Sequence, residues 1–61
     1  MNINIEKLIK SYGGDWVALD ENLEKVVASA KHAKDALNKA EKKGVKVPHL
    51  FKVPTRLIAN I

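Results

Sequence analysis

Ser29 and His32 stand at i and i+3, a spacing at which a hydroxyl and an imidazole can meet on one helical face. A serine held by a histidine base is the start of a nucleophilic site, but the base needs a third group to orient it. On an exposed helical face such a pair is normally two solvated residues, and Ser11 and Thr55 have no histidine near them in sequence. Asp20, Glu21 and Glu24 cluster as carboxylates do for acid–base work, which requires a pocket around them. A helical first turn explains the same cluster by dipole and solubility. Metal ligation has as little to build on. The chain has no cysteine, its two histidines, His32 and His49, lie far apart, and His32 with Asp35 lacks a third and fourth ligand. The expectation is a non-enzymatic chain with no metal and no cofactor.

Charge offers a second kind of chemistry. The net charge is +4, unevenly spread. Residues 1–30 hold three lysines against five acids, whereas residues 31–61 hold eight basic residues against two acids. Lys39, Lys42, Lys43, Lys46, Lys52 and Arg56 are the candidate phosphate contacts, able to grip a nucleic-acid backbone without reading bases. Phe51 is the single ring among them, too few for stacking on a single strand. A membrane surface would use the same cations, but an alanine-rich apolar stripe anchors poorly in lipid. A solvated lysine face explains the charge equally well.

These residues need elements to carry them. Ile5, Leu8, Ile9 and Tyr12 fall at i, i+3, i+4 and i+7, which predicts a short helix. Asn4 is its N-cap, with Asn2 competing, and Glu6 suits the positive first turn. Gly13 is expected to end it by supplying a left-handed residue. A strand through residues 2–5 is the alternative, with nothing nearby to pair with it. From Asp15 a second stripe runs through Trp16, Leu19, Leu23, Val26, Val27, Ala30, Ala33, Leu37 and Ala40. It predicts one long amphipathic helix over about 15–43, stopped by Gly44, with a break at Asp20 as the competing reading.

The rest, from about residue 45, reads as an irregular arm with one or two helical turns. It contains a weak repeat: Lys46-Val47-Pro48 is echoed by Lys52-Val53-Pro54. Each Val-Pro step keeps the backbone extended before the ring. Leu57, Ile58 and Ile61 suit a short closing helix from about Pro54. Helix, Gly13-Gly14 turn and helix together resemble the helix-turn-helix layout over residues 5–24. In that layout Asp15, Asp20, Glu21 and Glu24 would face the phosphates and repel them.

The expected fold is therefore all-α, a helical hairpin or small bundle forming one domain over residues 1–61. A chain this short buries only ~60% of the surface its unfolded form exposes and usually needs a staple. Disulfides are excluded, so a partner chain is the expected staple. A helix of this length spans ~43 Å, more than the first helix covers. Its stripe grades from large residues near Trp16 to alanines near Ala40, which fits an antiparallel homodimer or an alanine groove filled by Leu50 and Phe51. The function expected is a protein-interaction module: a small regulator or inhibitor-like protein, binding itself or a larger target, with Trp16, Leu23, Leu37, Leu50 and Phe51 as packing or interface anchors. A nucleic-acid-binding accessory is the alternative. No apolar run reaches a bilayer span, and Met1–Glu6 lacks the basic start and apolar stretch of a signal peptide. The expected location is the cytoplasm.

Overall fold

Residues 4–56 are described by the computed structural model. The first helix, α1 (Ile5–Tyr12), starts as its sequence requires. Asn4 is extended, and its side-chain oxygen accepts from the N–H groups of Glu6 at 2.9 Å and Lys7 at 3.3 Å. Two of the orphan donors of the first turn are thereby satisfied. Asn2 lies outside the described residues. The helix ends differently from expectation. Gly13 has φ −50°, and the left-handed residue is Gly14, at φ +87°. Gly13 is needed for space: a Cβ there would stand 2.7 Å from the carbonyl oxygen of Ile9.

The long helix over about 15–43 is not formed, and the all-α expectation falls with it. In its place come β1 (Trp16–Leu19), a loop, β2 (Val26–Ala30) and α2 (Ala33–Lys42). β3 (His49–Lys52) follows, where an irregular arm with helical turns was expected. The fold is α+β: an antiparallel sheet of order β2-β1-β3 with two helices among the described residues. The packing of two long helices in a dimer loses its basis, and so does the helix-turn-helix layout, whose second helix is β1.

The physical cause lies in β1. It is the central strand and is covered on both faces: Val17 and Ala18 are fully buried and Leu19 is nearly so. A strand buried on both faces reads as a continuous apolar run, without the alternation that marks a half-exposed strand. That run, followed by Leu23, Val26 and Ala30, also satisfies three- and four-residue spacing. Asp20 does break the pattern, as a turn residue between strands. Its side-chain oxygen accepts from the N–H of Glu24 at 2.7 Å, and its own N–H donates to the Lys25 carbonyl at 3.1 Å. Leu23 takes a left-handed φ of +59° inside this loop. Pairing then runs Trp16↔Ala30, Val17↔Ser29 and Ala18↔Ala28, and shifts to Leu19↔Val26, so Val27 is the extra residue of a bulge.

Alternation along β1 sends its side chains to two cores. Val17 and Leu19 pack with Leu8 and Val53, flanked by Ile5, Ile9, Tyr12, Leu23 and Val26. Ala18 packs with Ala28 and Ala40, flanked by Val27 and Val45. α1 and α2 thus cover opposite faces. Ala36 and Ala40 of α2 are wholly buried, and such small side chains let the helix settle close against an alanine-lined sheet. The alanine-rich rear of the supposed rod therefore has its packing partner within the chain. α2 closes with a Schellman pattern: Gly44, at φ +93°, donates to Glu41, and Val45 donates to Ala40, with Val45 packed on the same cluster as Ala40. The closing helix expected at Leu57, Ile58 and Ile61 lies outside the described residues.

Candidate functional site

A three-stranded sheet has two edges, and each turns every second N–H and C=O outward. Here the two edges are treated in opposite ways. On β2 the outward carbonyls of Val27 and Ser29 are occupied by lysines from α2. Lys43 Nζ donates to Val27 at 2.6 Å, and Lys39 Nζ donates to Ser29 at 3.1 Å. Tyr12 comes from the far side of the same strand and shares a concavity with these lysines and Lys42.

The β3 edge carries no such cover among the described residues. Val53 fixes which way the strand faces: its N–H donates to Asp15 and its carbonyl accepts from Gly14, both at 2.9 Å. Val53 thus points to the β1 side. Alternation then turns His49 and Phe51 to β1 as well, and Leu50 and Lys52 to the open side. Pro48 and Pro54 share the outward parity and have no N–H to offer. The six-residue spacing of the Lys-Val-Pro repeat is even, so both prolines fall on one side. Between them the edge offers the N–H and C=O groups of Leu50 and Lys52.

Apolar surface adjoins this window. Leu50 and Phe51 are 37% and 38% exposed, and Val47 is 58% exposed. A groove of about 200 Å³ runs between α1 and β3, lined by Ile5, Leu8, Leu19, Leu23, His49, Leu50 and Phe51. His49 and Phe51 share their sheet face with Leu19 and Val17, the face that α1 covers. At the other end of β3, Lys52 and Arg56 line one concavity with Gly14, Val53, Pro54 and Thr55.

The residues singled out from sequence are thereby sorted. Leu50 and Phe51 are consecutive on β3, so their side chains face opposite ways, and Phe51 and Leu23 of the β1–β2 loop both line the groove. Trp16 opens β1, half-buried, and Leu37 is half-buried on α2, so neither belongs to the groove. The six candidate phosphate contacts divide. Lys39, Lys42 and Lys43 stand at the β2 edge, two of them engaged with strand carbonyls, whereas Lys52 and Arg56 stand at the opposite edge and Lys46 lies in the connection between α2 and β3. Ser29 is on β2, His32 is the exposed N-cap residue of α2, and Asp20, Glu21 and Glu24 belong to the β1–β2 loop. Among the described residues, no three His, Asp or Glu side chains cluster as metal ligands would, and no helix is long and apolar enough to cross a membrane.

Sequence reasoning missed Ile5 and Leu8 as groove walls, because their stripe accounted for them as a packing face. It also missed the outward parity of the two prolines. The even spacing of the repeat was visible, but its meaning depends on which side of β3 pairs. Comparison with curated proteins gives no match, and neither does comparison with solved structures. One family model does match, over residues 7–56, from the first turn of α1 to just beyond Val53, and the chain therefore belongs to the family of unknown function DUF5678.

Proposed function

We propose that the protein is a non-enzymatic interaction module that binds an extended segment of a protein partner by strand addition to β3. One observation carries this reading: among the described residues, Lys39 and Lys43 occupy outward carbonyls of the β2 edge, while no side chain covers Leu50 and Lys52 on the β3 edge, which lies beside an apolar groove. An unpaired edge is a template for another strand. In strand addition, main-chain hydrogen bonds supply affinity, and pockets for alternate side chains supply specificity. A segment laid along β3 would send every second side chain to the α1 face, beside His49 and Phe51 at the groove. The window is short, which suits a transient contact better than a permanent one. The cytoplasm is the setting this reading adopts.

A displayed library of random eight-residue peptides tests it. The library is selected on the wild-type protein and on Leu50→Pro, which deletes an outward N–H without touching a bond to β1. Phe51→Ser serves as the second variant should the proline disturb folding. Peptides that hold the wild type and release both folded variants are expected. Enrichment that ignores both substitutions would remove the β3 edge as the site.

A further inference from the structure

We infer that the segment accepted by β3 is acidic, alternating carboxylates with apolar side chains. The inference rests on strand addition at β3 and adds the chemistry of the occupant. From Val45 to Arg56 the chain carries Lys46, His49, Lys52 and Arg56 and no aspartate or glutamate. Lys52 and Arg56 line one concavity at the end of the strand, where they can meet the same carboxylates. The groove supplies the other half of the pattern, since Ile5, Leu8, Leu23 and Phe51 line it and ask for an apolar side chain. Successive residues of an added strand point to opposite faces. An apolar residue turned toward the groove therefore leaves its neighbours on the other face and at the ends, within reach of long basic side chains.

A second copy of the chain fits less well. Two β3 strands paired about a two-fold axis in the register that sets Lys52 opposite Lys52 would bring like charges together, and like charges on paired strands repel. The four residues of β3, with proline on either side, also offer a small area against the ~1,200–2,000 Å² buried by stable complexes.

The test uses the full chain and two capped synthetic peptides of eight residues, one alternating glutamate with valine, the other lysine with valine. Amide chemical shifts are followed during titration in low salt and again in high salt. The glutamate peptide is expected to move the Leu50 and Lys52 amides saturably and to bind at least tenfold more tightly than its lysine twin. High salt should narrow that ratio, and Lys52→Glu with Arg56→Glu should reverse it. Equal or tighter binding of the lysine peptide at the same amides overturns the acidic preference and leaves strand addition standing. Shifts confined to the β2 edge, or none from either peptide at millimolar concentration, overturn the inference, and the library selection then decides strand addition separately. Two further results also overturn it: sedimentation showing a dimer that protects Leu50 and Lys52 from exchange, or ending the chain at Arg56 moving those amides as the peptide does. The occupant would then be a second copy or residues 57–61.

Discussion

Lys43, the C-cap residue of α2, reaches across to place its Nζ 2.6 Å from the backbone oxygen of Val27. Val27 is the bulge residue of β2, so this bond falls where the ladder to β1 is already irregular. Lys39 repeats the contact two residues along, at Ser29. A lysine on an edge strand is a known defence against edge-to-edge pairing. Here the defence is delivered from a helix, and the charge lies directly over the carbonyls a foreign strand would seek.

Removing that cover should change association rather than folding. Lys39→Met with Lys43→Met leaves the core intact, since both lysines are exposed. The double variant is expected to scatter more light than the wild type as concentration rises. Lys34→Met with Lys42→Met, the same loss of two charges at exposed lysines for which no strand bond is seen, is the control. Equal scattering from the double variant and the control would show that the two bonds do not protect the edge.

Two glycines should respond to alanine for different reasons. At Gly13 the added methyl meets the Ile9 oxygen at 2.7 Å, and the strand end at Pro54 and Thr55 closes in behind. Overpacking of this kind costs about 1–3 kcal/mol. At Gly44 the methyl meets nothing within 4 Å, but φ is +93°. That backbone costs about 1–2 kcal/mol for an L-residue. Urea unfolding should rank Gly13→Ala at least as destabilising as Gly44→Ala. The opposite order would mean that the Ile9 carbonyl moves aside easily.

Stability and binding should separate between Leu8 and Phe51. Leu8 is 6% exposed in the core beneath α1, and Leu→Ala in such sites costs about 2–5 kcal/mol. In a domain of this size that loss should leave much of the chain unfolded by circular dichroism at room temperature. Phe51 is 38% exposed, so Phe51→Ser should keep the native spectrum while losing peptide binding. Loss of the fold in Phe51→Ser would make its ring a structural element first.

What could be read in the sequence follows from how much of each signal is local. The stripe of α1, its Asn4 cap and the stop at Gly44 depend on neighbours within a few positions, and each appears in the fold. The sheet depends on pairing between distant segments. β1 gave no alternation because α1 and α2 cover both its faces, and that covering was invisible before the fold was known. Val26-Val27 and the Asp20–Asn22 stretch did carry β-branched and turn signals, but the helical spacing of Leu19, Leu23, Val26 and Ala30 overrode them. The candidate site shows the same division. Leu50 and Phe51 stood out as large apolar residues in a basic arm. Nothing local marks Lys39 and Lys43 as edge covers, because their role exists only once α2 crosses the sheet beside β2.

Leu23 sets backbone strain against packing. Its φ of +59° is a conformation that costs a non-glycine residue about 1–2 kcal/mol. Its side chain nevertheless packs against the Leu8, Val17, Leu19 and Val53 cluster and lines the groove beside Phe51. Asparagine tolerates the left-handed region but brings no apolar surface. Fully burying a leucine is worth about 1.5–3 kcal/mol, and Leu23 is half-buried, so packing and strain nearly cancel. Leu23→Asn should therefore shift the urea midpoint only slightly, in either direction. Peptide binding should fall clearly, because the groove loses one apolar wall. A large drop in stability would assign Leu23 to the core alone; unchanged binding in a folded variant would remove it from the groove's working surface.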